Sequence, residues 1–144
     1  LDNATQSFFI DVDPFDITSN NLLEFRQNGG SASNRLLLQT NSSGGLRVFF
    51  NTGGSSAFDQ TISTAVATNT RVKIMVVYTP TNVKVFVDGV KEIDTAATIS
   101  FTSAMGYIDL EGSATGNDDG LLQRGFDTWA KELSDSEAIA LTTL

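Results

Sequence analysis

The chain has 144 residues, 17 of them acidic and 9 basic, for a net charge of −8, and it contains neither cysteine nor histidine. These counts exclude a Ser-His-Asp triad, a cysteine nucleophile, a zinc site of nitrogen and sulfur ligands, and a disulfide framework. Carboxylates, hydroxyls, amides and oxygen-ligated metals remain. An apolar fraction of 40% with 18% charged residues describes a folded chain, and residues 1–144 are expected to form a single domain, being near the usual size of one. Lysine and arginine do not cluster, which argues against nucleic acid and anionic membrane surfaces. No apolar run approaches the length of a bilayer span, so no membrane insertion is expected. The Ser, Thr, Asn and Gly content is the surface chemistry of many secreted, virion and cell-surface β proteins, and an extracellular or virion-surface location is the expectation from composition.

Short alternating runs parted by Gly, Asn and Ser clusters predict an all-β sandwich or barrel. Phe8, Ile10 and Val12 alternate with Phe9, Asp11 and Asp13, and Pro14 ends that strand. Runs at 22–25, 36–39 and 46–51 follow, separated by Gln27-Asn28-Gly29-Gly30 and Asn41-Ser42-Ser43-Gly44-Gly45, and Gly53-Gly54 closes the third. From Arg71 to Thr95 the pattern is strongest. Val72, Ile74, Val76 and Tyr78 share one face, Thr79-Pro80-Thr81-Asn82 turns the chain, and Val83, Val85 and Val87 return. Asp88-Gly89 suits a two-residue type I′ turn, whose positions both need positive φ, and leads into 90–94. Three consecutive antiparallel strands are therefore expected. A run at 105–111, a loop over 112–120 and a strand over 121–129 come next. Ser134-Asp135-Ser136-Glu137 is a capping box opening about two helical turns. Eight acids against two bases from residue 109 onward put a net −6 in the last quarter.

Two motifs in the second half carry a family resemblance. Val85-Phe86-Val87-Asp88-Gly89-Val90 is a strand running into a tight Asp-Gly turn, and Trp129 precedes Leu133-Ser134-Asp135-Ser136-Glu137, with Leu141 beyond. In both respects residues 71 to 144 resemble the laminin-G-like, concanavalin A-like jelly-roll domains. The resemblance implies two antiparallel sheets packed face to face as a jelly-roll sandwich, with one short C-terminal helix.

Tyr107-Ile108-Asp109-Leu110-Glu111 is the sharpest catalytic candidate, because laminarinase-type hydrolases of the same superfamily use Glu-x-Asp-x-Glu along one strand. Period two sends 107, 109 and 111 to one face. Retaining hydrolysis needs a nucleophilic carboxylate, and Tyr107 occupies that position, so Asp109 and Glu111 are read as solvated surface and no catalytic residue is assigned. Asn117, Asp118 and Asp119, between Gly116 and Gly120, offer hard oxygen ligands in one loop and form the calcium candidate, Ca²⁺ being the one cofactor considered. Asp11, Asp13 and Asp16 form a second acidic cluster, of which Asp11 and Asp13 are expected on a strand's outer face.

Ten Phe against one Trp and two Tyr is a core-like mixture. Phe8, Phe49, Phe50 and Phe86 are expected inside the sandwich, and Trp129 is expected to anchor the last strand to the helix. Tyr78 and Tyr107 remain as sugar-stacking candidates. Lys73, Lys84 and Lys91 with Arg71 read as a solvated outer sheet face. The functional expectation is a non-catalytic glycan-binding or adhesion module meeting a glycan or cell-surface ligand. The alternative is a structural or decoration subunit of a virion or other particle, packed against neighbouring subunits; a glycoside hydrolase or lyase comes third.

Overall fold

The computed structural model describes residues 5–15, 21–29, 31–41, 43–110 and 121–144. Among them are ten strands and one helix: β1 Gln6–Pro14, β2 Asn21–Gln27, β3 Arg35–Thr40, β4 Gly45–Thr52, β5 Ser55–Ala65, β6 Val72–Thr79, β7 Asn82–Val87, β8 Val90–Ala96, β9 Met105–Asp109, β10 Leu121–Trp129 and α1 Asp135–Thr142. The strands form two five-stranded sheets, ordered β10-β1-β6-β7-β8 and β5-β4-β3-β2-β9, with every neighbouring pair antiparallel. This is the sandwich the alternation predicts.

Period two explains the core. Phe8, Ile10 and Val12 of β1 and Ile74, Val76 and Tyr78 of β6 project inward from the first sheet, and all are almost fully buried. Leu36, Leu38, Val48 and Phe50 meet them from the second. Phe50 centres an aromatic cluster, with its ring 5.5 Å from Tyr78 and 5.9 Å from Phe58, both edge-on, the geometry that aligns ring edges with ring faces. Tyr78 is thereby placed in the core, which removes it as a sugar-stacking residue.

The hairpin β6-β7-β8 follows the sequence pattern, and its tight turn has φ of +47° at Asp88 and +83° at Gly89. By contrast, β5 is a strand that the alternation did not show. Its inward positions are Phe58, Gln60 and Ile62, opposite Phe50, Val48 and Leu46, so a glutamine interrupts the apolar series. Gly53-Gly54 does not merely close a strand: it is the positive-φ turn of the β4-β5 hairpin.

A second, smaller core lies on the outer face of the first sheet. Met75, Val77 and Phe86 are covered there by Leu133 and Ala138, with Phe9 and Trp129 packed alongside. Trp129 therefore joins β10 to the helix region as expected, while Phe86 lies under the helix and not between the sheets. The capping box is formed, with Glu137 N–H donating to Ser134 Oγ at 3.3 Å and Ser134 N–H donating to Glu137 at 2.7 Å. Lys84 pairs with Glu132 and Asp135, and Lys91 with Asp94 and Asp135. These lysines are thus tied to the helix N-terminus, where a free solvated face was expected, because an apolar stripe on β6 and β7 draws α1 onto the sheet.

Candidate functional site

With α1 packed against β6, β7 and β8, the outer face of the β5-β4-β3-β2-β9 sheet is not covered by the helix, although Glu24 and Leu37 in its middle are nearly inaccessible and Arg26 and Arg35 are partly exposed. The sequence builds it by alternation. On β2, Leu23 and Phe25 enter the core and Glu24 and Arg26 turn outward; on β3, Leu36 and Leu38 enter and Arg35 and Leu37 turn outward. Register then sets these outward residues in rows. One row runs Tyr107, Arg26, Arg35, Asn51 across β9, β2, β3 and β4, and the next runs Asp109, Glu24, Leu37, Phe49, Asp59 out to β5.

Arg26 and Arg35 are directly opposed across β2 and β3. Both present Nε to the same Oε1 of Glu24, Arg26 at 3.2 Å and Arg35 closer still. Glu24 is buried at 1% side-chain exposure, and its Oε2, like Nε of Arg26 and of Arg35, has no hydrogen-bond partner, so the Nε contacts are ion pairs without hydrogen-bond geometry. Burial pushes the Glu24 carboxyl above the usual range despite the opposing pull of Arg35 and Arg26, and Asp109 adds to the rise. Two guanidiniums thus share one buried carboxylate. Asp109 stands 3.8 Å from Nη2 of Arg26, and Arg35 makes no other ion pair among the described residues.

Flat faces flank these charges. Arg26 lies over the Tyr107 ring, 5.1 Å from its centroid, and Tyr107 is 47% exposed. Arg47 lies over Phe49 at 4.7 Å while donating two hydrogen bonds to Asp59, at 2.7 and 2.6 Å. Phe49 is consequently on the outer face and not inside the sandwich, since its position in β4 alternates with the inward Val48 and Phe50. Arg47 is committed to Asp59, whose carboxyl that hydrogen bond holds below the usual range. Chemically, the face offers guanidinium N–H donors, aromatic faces and an amide, which suits recognition of a planar anion beside an apolar ring face.

Around the edge of β9 lies a cleft of about 330 Å³ between the two sheets. Phe25, Met105, Ile108 and Phe126 form its apolar lining, and Gln6 and Thr128 contribute polar groups. Tyr107 lines it as well as the outer face.

Of the residues singled out from sequence, Tyr107 and Asp109 do share the outer face, as period two requires. Glu111 and the calcium candidates Asn117, Asp118 and Asp119 lie outside the described residues, as does Asp16. No group of three or more acidic side chains arranged to hold a metal occurs among the described residues. Asp11 is buried and pairs with Arg71 at 2.6 Å, and Asp13 pairs with Arg124 at 2.5 Å, so these two acids fasten strands instead of gathering ligands. Glu24, Arg26 and Arg35 were not singled out. The alternation Glu24-Phe25-Arg26 was a visible signal, but the pairing of β2 with β3 that brings Arg35 opposite was not.

Comparison with known proteins places this geometry in a family. A family model described as the concanavalin A-like lectin/glucanases superfamily matches residues 1–137. Among solved structures, the carbohydrate-binding module CBM40 of the Ruminococcus gnavus IT-sialidase, bound to α2,3-sialyllactose, superposes with a TM-score of 0.75 at 16% identity, covering 99% of this chain and 84% of that one. Domains LG4-5 of the mouse laminin α1 chain superpose with a TM-score of 0.67 at 11% identity, over 93% of this chain and 38% of that chain. Sheep galectin-11, in complex with glycerol, superposes with a TM-score of 0.55 at 13% identity, over 88% and 90%. No curated protein gives a significant match. Matched by that model over nearly its whole length and built as two antiparallel sheets with a short terminal helix, the chain belongs to the concanavalin A-like lectin/glucanases superfamily.

Proposed function

We propose that this chain is a glycan-binding module, and that the outer face of the β5-β4-β3-β2-β9 sheet takes a carboxylate-bearing sugar. The observation that carries this reading is the cross-strand pair Arg26 and Arg35 sharing Glu24, beside the exposed ring of Tyr107. A guanidinium matches a carboxylate in shape and charge, and two of them held side by side offer more N–H donors than one buried acid consumes. Tyr107 supplies the apolar surface on which a pyranose ring rests. In support, the solved CBM40 structures hold α2,3- and α2,6-sialyllactose, both acidic sugars. An extracellular setting belongs to the same proposal.

The test compares α2,3-sialyllactose with neutral lactose by calorimetry, on the wild type, Arg26→Ala and Arg35→Ala. Saturable binding of the acidic trisaccharide alone, weakened about tenfold or more by either substitution, is expected from the loss of a charge-assisted contact. Equal binding of lactose, or affinity indifferent to both arginines, would overturn the reading. Self-assembly in light scattering without any glycan binding would favour the structural-subunit alternative.

A further inference from the structure

Glu24 is more than a buried counter-ion. The shortest contact of each arginine with Glu24 runs from Nε to Oε1, and although neither Nε makes a hydrogen bond, the charge attraction at this range holds both side chains towards the one carboxylate. Among the described residues Arg35 pairs with no acid besides Glu24, and Arg26 pairs besides with Asp109, through Nη2 at 3.8 Å. Leu37 and Phe49 continue the Glu24 row without charge, and the next charged pair, Arg47 and Asp59, is internally neutralised. The charged and titratable groups that face Glu24 from the packed strands are therefore Arg26 on β2, Arg35 on β3, and Asp109 and Tyr107 on β9.

We propose that Glu24 is the positioning residue of this site: it orients Arg26 and Arg35 for an incoming carboxylate, and its ionisation sets the strength of anion binding. The inference rests on the acidic-glycan reading given above. With Glu24 ionised, Arg26, Arg35, Glu24 and Asp109 sum to zero; with Glu24 protonated they carry one net positive charge, and the neutral carboxyl still presents an oxygen to the guanidiniums. A ligand carboxylate beside the arginines therefore binds more strongly as Glu24 takes up a proton. The burial that raises the Glu24 carboxyl moves this transition above the ordinary carboxylate range, where the ligand's own carboxyl stays ionised.

Two effects of Glu24 can be separated by substitution. Gln keeps an acceptor oxygen and removes the charge, whereas Ala removes both. Affinity for α2,3-sialyllactose should be measured by calorimetry from about pH 4.5 to about pH 8 on the wild type, Glu24→Gln and Glu24→Ala. The wild type is expected to tighten about five- to tenfold towards acid, the scale of one charge removed near the ligand in a partly solvated site. Glu24→Gln is expected to bind at all pH values like the acidic wild type, without the slope. Glu24→Ala should also lose the slope, but bind about tenfold more weakly than Glu24→Gln because both guanidiniums are released. A merely structural role would move none of these pH profiles.

A second measurement needs no ligand. In ¹⁵N and ¹³C spectra of the free protein, the Nε–H signals of Arg26 and Arg35 should titrate together with the Glu24 carboxyl carbon, and all other arginine signals should not follow. Coupled signals with no sialyllactose binding at any pH would overturn the glycan reading, and the pH control of binding with it, while the arginine tether stands. Sialyllactose binding whose slope survives in Glu24→Gln would overturn the role of Glu24 and leave the glycan reading intact. Equal affinity of Glu24→Ala and Glu24→Gln would overturn the positioning role.

Discussion

Arg26 lies over the ring of Tyr107, its cross-strand partner, with the guanidinium carbon 5.1 Å from the ring centroid. The ring lies on one side of the guanidinium and the Glu24 carboxylate stands 3.2 Å from Nε on another, so Arg26 is confined before any ligand arrives. A pre-confined side chain loses less freedom on binding. Tyr107→Ala is therefore expected to weaken α2,3-sialyllactose binding about tenfold, the scale of a cation–π contact plus lost ring contact, and Tyr107→Phe to weaken it about twofold or less. Because Tyr107 is exposed, thermal unfolding should be nearly unchanged in both, and calorimetry reads the difference.

Gly106, one residue earlier on β9, lies against the side chain of Asn28, and both residues are exposed. A β-carbon at 106 would lie 2.0 Å from Asn28 Oδ1 and 2.8 Å from its Cγ. Gly106→Ala should cost about 1 kcal/mol or less, because the exposed Asn28 amide can turn away towards solvent. The double variant Gly106→Ala with Asn28→Gly should recover most of that loss in urea unfolding. Failure to recover would show that the backbone at 106, and not the Asn28 side chain, sets the cost.

Acid should unfold the protein partly through Asp11. Its hydrogen bonds from Arg71, at 2.9 and 2.6 Å, hold the carboxyl below the usual range, against the opposing effect of burial. A carboxyl lowered in the folded state stabilises fully above its unfolded value of 3.8, and that stabilisation is lost as pH falls through the folded value. Asp59, lowered by Arg47, acts with the same sign. Glu24 acts with the opposite sign, since its raised carboxyl favours the folded state at low pH and withdraws that favour as pH climbs from 4.5 through its folded value. Urea unfolding of Asp11→Asn should accordingly show a shallower loss of stability below about pH 4 than the wild type.

The helix is held chiefly by apolar packing and only secondarily by charge. Leu133 and Ala138 are nearly inaccessible against Met75, Val77 and Phe86, whereas the Asp135 carboxylate that meets Lys84 and Lys91 is 42% exposed. Leu133→Ala should cost about 2 to 4 kcal/mol. Asp135→Asn should cost about 1 kcal/mol or less, and less again in high salt. Equal losses would show that the ion pairs dominate the docking.

The fold was legible wherever a strand had one dry face and one wet one. Phe8-Ile10-Val12 and Val72-Ile74-Val76-Tyr78 announced two central strands of the first sheet, Asp88-Gly89 announced a turn that only positive φ allows, and Ser134 with Glu137 announced the helix start. Such signals are local: each depends on residues a few positions apart, so the sequence carries them without the fold. β5 escaped because Gln60 occupies an inward position on an edge strand, where one wet polar group does little harm.

By itself the sequence determined the sandwich, its tight turns and its terminal helix, and it placed Tyr107 and Asp109 on a common face. Only the tertiary structure decided that this face belongs to the sheet the helix leaves open, that Arg35 stands opposite Arg26, and that both converge on Glu24. The reason is physical. Alternation along a strand is dictated by the pleat and survives in any arrangement, but which strands become neighbours, and in what register, depends on the summed burial of residues far apart in the chain. The same distinction separates the lysines from their expected role: Lys84 and Lys91 looked like solvated charges until helix packing brought Asp135 between them.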